Sequence, residues 1–392
     1  MIANIRYVKI CVAVLAWMGV LLAATHRSES PVVLGRYGWS YACLLGLLVG
    51  VAATLSLAKS TWFVELYRAR AGLVISGTSL LLSIYAAELG IRTVDPLGIS
   101  YCELAGDYHL DKKADEHLVF RHKPSWEKRY GDVLVAYNER GLRDRPILPK
   151  AEGEYRILAL GDSVTFGWGV PQNQIFASRL EQVMQGHLQQ PVRVINSGVG
   201  GYNTVQELTY FKQEGVTFQP DLVMLTYVEN DIEENKGPFD PWAEVSLRGK
   251  SLPGMVRTML GKLWFYRVVD HTYHYGLLKQ LKGQSSNPSQ GGQGWNDSMS
   301  ALGKLVAVCE EHKIPLIVFY FRWEPGGNNP LLEDVVRHVK GVPVKDMGQW
   351  FGEIDKFSLM NSKVDTHPNA EGHRVIAEHM ANEIVNNLVV RK

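Results

Sequence analysis

Short apolar runs alternate with longer segments of mixed polarity along the chain from about residue 155 onward. The runs that predict strands are 155–160, 192–196, 221–227, 314–321 and 342–345. The segments that predict helices are 174–188, 204–214, 297–312, 331–339 and 369–388. Such alternation is typical of a parallel sheet with helices on both faces. We therefore predict an α/β fold, a flavodoxin-like three-layer sandwich with a five-stranded parallel sheet.

Three mainly apolar stretches, 8–24, 38–58 and 71–90, precede this region. Each is near the length that crosses a bilayer as a helix. The first stretch alone would fit a signal peptide, because basic Arg6 and Lys9 lie at its start. Two further stretches favour an N-terminal transmembrane region of three helices over a cleaved signal followed by buried core helices. The third is the most polar of the three, since it contains Ser76, Thr78, Ser79, Ser83, Tyr85 and Glu88.

Lysine and arginine residues in the short segments around these stretches predict their orientation. Five lie on one side of the predicted membrane, namely Arg6, Lys9, Lys59, Arg68 and Arg70. Three lie on the other side, namely Arg27, Arg36 and Arg92. Because the cytoplasmic side carries the excess of basic residues, we expect an inside amino terminus and the rest of the chain outside.

A long insertion at about 232–295 interrupts the alternation of strands and helices. It contains an aromatic and basic helical stretch, 255–282, followed by the loop-like sequence GQSSNPSQGGQG. The aromatic residues suit a lid, a glycan-binding platform, a membrane-facing surface or a helix packed on the domain. The sequence leaves these four alternatives open for Trp264, Phe265, Tyr266, Tyr273 and Tyr275.

Charge and cysteine content narrow the class of protein. A net charge of +1 and a pI near 7.7 provide no global electrostatic attraction to nucleic acid, so we expect no such partner. The four cysteines form no zinc-binding pattern. Cys11 and Cys43 fall in predicted membrane spans, and we expect Cys102 and Cys309 not to form a disulfide bridge.

The sequence GDSVTFGWGV, residues 161–170, directly follows the first predicted strand. Ser163 therefore lies at the carboxyl end of a strand, where open α/β sheets bind their ligands. A serine at this place also caps the next helix in many proteins, so it is not sufficient to define a site. The α/β-hydrolase elbow carries glycine two residues after its serine, but Thr165 stands here, which indicates a different scaffold.

Three further segments end predicted strands with side chains that suit a nucleophilic serine. Residues 192–207, VRVINSGVGGYNTVQE, contain a glycine-rich turn that can aim a backbone amide at a ligand. Residues 220–231, PDLVMLTYVEND, place the neutral donor Asn230 at a strand end. Residues 363–373, KVDTHPNAEGH, place His367 beside Asp365, a base and the carboxylate that orients it. Each segment alone also fits a turn or a helix cap, but four such strand ends together favour a site.

In these four blocks the chain resembles an SGNH (GDSL-type) hydrolase over roughly residues 130–390. The resemblance implies that Ser163 is the nucleophile, His367 the base and Asp365 the carboxylate that orients it. It also implies an oxyanion hole made by the amides of Ser163 and Gly201 and the side chain of Asn230.

Gly201 matches the oxyanion glycine of the family better than Gly198 or Gly200, because that glycine lies five residues after the asparagine of its block, here Asn196. The chain departs from the family pattern at two blocks. Val228 and Glu229 stand where glycines usually precede the asparagine of the third block.

The last block is the second departure. It is often Asp-x-x-His, but Thr366 alone separates Asp365 from His367 here. Val364 occupies the usual aspartate position and lacks a carboxylate. Asp-x-His variants occur among relatives that act on polysaccharide acyl groups, so the resemblance keeps Asp365 in the triad.

The resemblance implies a serine esterase that needs no metal or cofactor and acts on O-acyl esters, most simply O-acetyl groups of cell-envelope or exported polysaccharide. The alternatives are a polysaccharide O-acetyltransferase, a lysophospholipase or lipid esterase, and a non-catalytic glycan-binding protein. We predict a membrane anchor over 1–92, a connector over 93–150 that packs on the catalytic domain, and a catalytic domain over 151–392. The expected location is the cell membrane, multi-pass, with the catalytic domain periplasmic or extracellular.

Residues 138–144, NERGLRD, resemble a segment that precedes the GDS strand in some membrane-linked relatives. A contribution to the site is one interpretation of this segment. We expect it to form a surface turn.

Overall fold

The computed structural model describes residues 61–95, 98–233, 263–269, 291–327, 329–352 and 354–390. The chain divides into two compact units. Among the described residues, the first unit contains 61–95, 98–100 and 263–269. The second unit contains 101–233 and the described residues from 291 to 390.

The first unit contains helix α1 (Thr61–Val94) and a short helical segment at residues 264–269. Buried Glu88 and Arg92 form an ion pair with 2.7 Å between Oε1 and Nε. The Glu88 carboxylate also accepts hydrogen bonds from the backbone amides of Trp264 and Phe265, at 2.9 and 2.6 Å. These amides begin the helical segment and have no partner within it, so the carboxylate satisfies them. Part of the aromatic stretch of the insertion therefore packs on α1.

No helix within the described ranges is both long enough and apolar enough to cross a membrane. The predicted stretches 8–24 and 38–58 lie outside the described residues. The predicted stretch 71–90 lies within α1 and is not supported as a span, because polar side chains such as Ser76, Ser83 and Glu88 interrupt its apolar run.

The connector residues form one helix and two antiparallel hairpins. The elements are α2 (Ile99–Asp111), β1 (Lys113–Asp115), β2 (Val119–Arg121), β3 (Glu127–Tyr130) and β4 (Val133–Ala136). Three buried tyrosines of this segment, Tyr108, Tyr130 and Tyr137, form one apolar cluster with Phe166 and Trp168. The hairpin segment thus packs against the turn that follows the first strand of the main sheet.

The main sheet has five parallel strands, as predicted. They are β5 (Tyr155–Gly161), β6 (Val192–Asn196), β7 (Leu222–Tyr227), β8 (Leu316–Tyr320) and β9 (Val344–Asp346). Their spatial order is β6-β5-β7-β8-β9, which is the flavodoxin-like order. The strand order reverses at β5, so the turn after β5 lies where such sheets bind ligands.

Helices cover both faces of this sheet, which makes it a three-layer sandwich. The helices are α3 (Ser163–Phe166), α4 (Phe176–His187), α5 (Thr204–Gln213), α6 (Gln293–Glu311), α7 (Pro330–His338), α8 (Gly348–Phe351) and α9 (Ala370–Val390). Alternate residues of β5 enter different cores, because side chains along a strand point to opposite faces. Leu158 and Leu160 pack in the core that includes α5, α6 and α7, whereas Ile157 and Ala159 pack in the core that includes α4 and α9.

His373 in α9 is a buried packing residue. Its Nδ1 atom accepts a hydrogen bond from the backbone amide of Phe176, at 3.1 Å, and its ring stacks on the Phe176 ring. Burial lowers the pKa of His373 to about 3, which keeps the imidazole neutral. The two residues fasten the start of α4 to α9.

Candidate active site

Ser163 lies at the amino end of α3, immediately beyond the carboxyl end of β5. Asp162 caps this helix, because its Oδ1 atom accepts a hydrogen bond from the Val164 amide at 2.9 Å. The first amides of a helix have no partner within it. The Ser163 amide therefore lies in a position from which it can donate a hydrogen bond to a ligand.

The structure brings Ser163, His367 and Asp365 together. The Nε2 atom of His367 lies 2.8 Å from the Ser163 Oγ atom. The Nδ1 atom of the same ring lies 2.6 Å from Oδ1 of Asp365. A carboxylate only accepts hydrogen bonds, so Nδ1 carries the proton and donates it to Asp365. In the neutral ring Nε2 is then the nitrogen that accepts the serine hydroxyl.

A narrow loop brings the Asp365 carboxylate to the His367 ring, although only one residue separates the two. The Asn361 amide donates to the His367 carbonyl oxygen, and the Ser362 amide donates to the Asp365 carbonyl oxygen, both at 2.9 Å. The His367 amide also donates to Oδ1 of Asp365 at 3.2 Å. Because the loop folds back on itself, the carboxylate faces the histidine ring although only one residue separates them.

The second oxygen of Asp365 is held by two side chains that sequence reasoning missed. Trp168 Nε1 and Asn361 Nδ2 each donate to Oδ2 at 3.2 Å, and Asp365 is buried. Trp168 lies within GDSVTFGWGV, so its place in this motif could have identified it as a site residue. No feature of the sequence identified Asn361 as one. Asp365 does not cap α9, because Asn369 accepts hydrogen bonds from the Glu371 and Gly372 amides at the start of that helix.

Asn230 lies in a single 3-10 turn, Glu229–Ile232, directly after β7. Its Nδ2 atom donates to Oδ2 of Asp162 at 3.2 Å, and the same oxygen lies 3.1 Å from the Ser163 Oγ atom. Asp162 thus holds the asparagine amide next to the serine. Asp162 belongs to the GDS motif, but the sequence did not indicate its hydrogen bond with Asn230. That bond joins the ends of two different strands, so only the folded structure shows it.

Gly201 lies in the turn after β6, in a left-handed conformation with φ of +80° that favours glycine. The other two glycine amides considered for the oxyanion hole bind elsewhere. The Gly198 amide donates to Oδ1 of Asn196 at 2.9 Å, and the Gly200 amide donates to the Tyr108 hydroxyl at 2.8 Å.

The segment 138–144 is not the surface turn that we expected. Arg143 is fully buried, and its guanidinium donates to the carbonyl oxygens of Phe166, Gly167 and Val170. Burial lowers the pKa of Arg143 to about 10, so the group stays charged at neutral pH. Arg143 therefore holds the turn that follows Ser163.

The next residue of this segment binds the adjacent strand end. Oδ2 of Asp144 accepts a hydrogen bond from the Asn196 amide at 2.9 Å, and Oδ1 pairs with Arg193 at 2.8 Å. Asn196 begins the glycine-rich turn that contains Gly201. Arg143 and Asp144 together fix the positions of the turns that follow β5 and β6.

A family model, the GDSL-like lipase/acylhydrolase family, matches residues 159–375, more than half of the 392 residues. The chain therefore belongs to the GDSL-like lipase/acylhydrolase family, and it is a hydrolase that acts on ester bonds. The resemblance of the four sequence blocks to this family is confirmed. None of the curated proteins matches the chain.

Several solved structures are similar to the chain at low identity. The psychrotrophic esterase EstA from Pseudoalteromonas sp. is 14% identical with a TM-score of 0.37, covering 59% of this chain and 98% of that protein. A catalytic mutant of the acetylxylan esterase Axe2 from Geobacillus stearothermophilus is 16% identical with a TM-score of 0.37, covering 59% and 94%. The lipase/acylhydrolase from Enterococcus faecalis is 13% identical with a TM-score of 0.36, covering 59% and 96%.

Proposed function

We propose that this hydrolase is a serine esterase that works through an acyl-enzyme, with Ser163 as nucleophile, His367 as general base and Asp365 as the orienting carboxylate. One observation carries the proposal. Ser163 Oγ, the two His367 ring nitrogens and Asp365 Oδ1 are joined by hydrogen bonds of 2.8 and 2.6 Å. A nucleophile bonded to a base that is itself oriented by a third group is the arrangement that covalent acyl transfer needs.

The reaction then has two halves. Ser163 Oγ attacks the ester carbonyl carbon while its proton passes to Nε2 of His367. The tetrahedral intermediate collapses, the bond to the alcohol oxygen breaks, and the imidazolium gives its proton to the departing alcohol. Water next attacks the acyl-enzyme, His367 takes one proton from it, and the same proton returns to Ser163 as the acid leaves.

The negative charge on the carbonyl oxygen needs donors, and we assign the amides of Ser163 and Gly201 and the Nδ2 group of Asn230. The Ser163 amide lies at a helix amino terminus. Asn230 and Ser163 both contact Oδ2 of Asp162. Each such donor contributes about 10²- to 10³-fold in rate, so the set accounts for much of the catalysis.

We propose O-acyl groups of polysaccharide, most simply O-acetyl groups, as the substrate. The Asp-x-His block supports this class through its resemblance to relatives that act on such groups. Two aromatic side chains next to His367 also support it. The Tyr101 ring centroid lies 6.1 Å from the His367 ring, and the Trp323 indole donates to the Thr366 carbonyl oxygen at 2.9 Å. Aromatic faces with a polar edge suit sugar rings, which are themselves amphipathic.

We further propose that the N-terminal apolar stretches anchor the enzyme in the cell membrane with the catalytic domain outside. The hydropathy of 8–24 and 38–58, the length of 71–90 and the distribution of lysine and arginine support this topology. Reporter fusions after residues 30, 65 and 110 should report outside, inside and outside. An inside signal at 110 would contradict the proposal and favour an intracellular ester substrate.

The chemistry is tested by labelling the full chain with a serine-directed phosphonate. We expect one label per chain at Ser163, and loss of ester turnover in Ser163→Ala and His367→Ala. Ser300→Ala, which removes an exposed hydroxyl on α6, should retain full turnover. A label on another residue together with full activity in both site variants would refute the proposal. Glycan binding that persists without turnover would instead support a non-catalytic protein.

The substrate is tested by supplying an acetylated glycan, a bare glycan with an acetyl donor, and a lysophospholipid in parallel. Free acetate from the acetylated glycan supports the esterase. Acetylation of the bare glycan faster than release of acetate supports a transferase, in which a sugar hydroxyl replaces water as acceptor. Fatty acid released from the lysophospholipid alone would overturn the polysaccharide substrate.

A further inference from the structure

Two side chains of the connector bind the turn that contains Gly201. The Gly200 amide donates to the Tyr108 hydroxyl at 2.8 Å, and the Gly200 carbonyl oxygen accepts a hydrogen bond from Nζ of Lys112. Tyr108 lies in the last turn of α2, and Lys112 directly follows that helix. Residues four apart at a helix end face the same side, so both groups reach the same glycine.

The Lys112 bond acts on the proposed oxyanion donor itself. The carbonyl of Gly200 and the amide of Gly201 belong to one planar peptide unit. Fixing the direction of the carbonyl oxygen therefore fixes the direction of the Gly201 N–H. A hydrogen bond to the carbonyl oxygen also polarises the unit, which makes its N–H a stronger donor.

The fit between Tyr108 and the turn requires glycine at position 200. A Cβ atom at Gly200 would lie 2.8 Å from the Tyr108 Cε1 atom and 2.9 Å from its hydroxyl oxygen. Lys112 is held as closely, since Nζ lies 4.4 and 4.1 Å from the ring centroids of Tyr108 and Phe120 and 3.1 Å from Nδ1 of His109. These contacts fix the position of the Lys112 amino group, and burial lowers the pKa of this group well below its usual value.

A buried chain of hydrogen bonds fixes the Tyr108 hydroxyl. Its oxygen lies 2.7 Å from Nε2 of His122, whose Nδ1 lies 3.0 Å from the Gly141 carbonyl oxygen. The carbonyl can only accept, so Nδ1–H donates to Gly141 and Nε2 accepts from Tyr108. The hydroxyl oxygen is then the acceptor for the Gly200 amide. Burial lowers the pKa of His122 well below its usual value, which keeps the ring in this neutral form.

We propose that Tyr108 and Lys112 are positioning residues of the oxyanion hole, which hold the Gly200–Gly201 peptide so that the Gly201 amide points at the developing oxyanion. Neither side chain is assigned a contact with the reacting atoms. The inference rests on the proposed function, because it takes the Gly201 amide as a donor to the oxyanion. It assigns to the connector an indirect part in setting the rate, through the direction of the Gly201 amide.

The test uses the full chain with Lys112→Met and Tyr108→Phe, which keep the size of each side chain and remove the hydrogen bond to Gly200. We expect kcat to fall about 10- to 100-fold with KM within twofold, because the oxyanion exists in the transition state and not in the bound ester. The affinity of a boronic acid that mimics the tetrahedral intermediate should fall by the same factor. Lys112→Arg, which restores a donor, should recover most of the rate.

Matched controls come from the same connector. Lys128→Met and Tyr130→Phe remove groups that bind the Asp111 carboxylate, at 2.5 and 3.0 Å. They should leave kcat and boronate affinity unchanged. All rates are expressed per active site titrated with the phosphonate, so that a misfolded fraction does not count as lost activity.

The experiments distinguish failure of this inference from failure of the proposed function. If Ser163→Ala is inactive while Lys112→Met and Tyr108→Phe keep kcat and boronate affinity within twofold, the inference is wrong and the proposed function stands. If Ser163→Ala keeps full activity, the proposed function fails and the inference fails with it. A rise of KM alone in both connector variants would also overturn the inference, because it would show a loss of substrate binding.

Discussion

The Oδ1 atom of Asp365 lies 2.6 Å from Nδ1 of His367, although Thr366 alone separates the two residues. Backbone hydrogen bonds at 361–367 close the loop, and Trp168 and Asn361 hold the other carboxylate oxygen. With Oδ2 occupied, Oδ1 is directed at the imidazole. The loop therefore compensates for the residue that is missing relative to Asp-x-x-His.

Replacing this carboxylate should disable the base. In Asp365→Asn we expect kcat to fall about 10³- to 10⁴-fold, because an amide group at this place can stabilise the wrong tautomer of His367 and cannot stabilise the imidazolium. Ester turnover by the purified full chain measures the effect. Asp355→Asn is the matched control, since Asp355 caps a nearby 3-10 turn and asparagine caps equally well. A kcat within tenfold of the wild type in Asp365→Asn would remove Asp365 from the triad.

The asparagine of the third block should act on the transition state. In Asn230→Ala we expect kcat to fall about 10²- to 10³-fold with little change in KM, because one of three oxyanion donors is lost. Steady-state kinetics on an acetyl ester separate the two constants. Glu229→Ala changes the neighbouring exposed residue in the same turn and should retain activity. Equal kinetics in the two variants would argue against Asn230 as a donor.

The hydrophobic pattern was sufficient to predict the sheet and the positions of its strand ends. The strand predicted at 155–160 ends at Gly161, and the strand predicted at 192–196 is confirmed residue for residue. Strands predicted at 314–321 and 342–345 shift by one or two residues. The first three blocks follow β5, β6 and β7, so local patterns also located Ser163 and Asn230. The fourth block does not end a strand as predicted, because His367 lies in the loop between a 3-10 turn (Lys356–Ser358) and α9.

What the sequence could not show depends on contacts between distant segments. Arg143 reads as a surface residue because a charged side chain is seldom fully buried. It is buried because three carbonyl oxygens of a turn more than 20 residues later accept its hydrogen bonds. The bonds from Tyr108 and Lys112 to Gly200 span about 90 residues. No periodicity or motif records such partners, so the connector was predicted only to pack on the domain.

The burial of Arg143 leads to a prediction about stability. In Arg143→Met we expect the free energy of unfolding to fall by about 3 kcal/mol, because the carbonyls of Phe166, Gly167 and Val170 lose a charged donor. Urea unfolding followed by tryptophan fluorescence measures this change. Arg145→Met is the control, since its side chain is 59% exposed and pairs with Glu181 at the surface. It should lose less than about 1 kcal/mol. Equal losses in the two variants would show that the buried hydrogen bonds of Arg143 contribute little.

The neutral state of His373 predicts how acid destabilises the domain. The folded state keeps a pKa of about 3, whereas the unfolded chain titrates near 6.5. Between these values the unfolded state binds one more proton, so the stability due to this residue is complete above pH 6.5 and is lost as the pH falls. The loss is about 1.4 kcal/mol per pH unit, or about 2 kcal/mol between pH 6.5 and 5.

We expect His373→Asn to be less stable than the wild type at pH 7.5, because the smaller side chain leaves part of the buried space empty. The variant should nevertheless lose less stability than the wild type on acidification. The difference in free energy of unfolding between pH 7.5 and pH 5, from urea titrations, should be smaller in the variant by about 2 kcal/mol. His187→Asn, which replaces an exposed histidine on α4, should keep the pH dependence of the wild type. If His373→Asn kept that dependence as well, the acid sensitivity would have to come from other buried groups, and His373 would be protonated in the folded state.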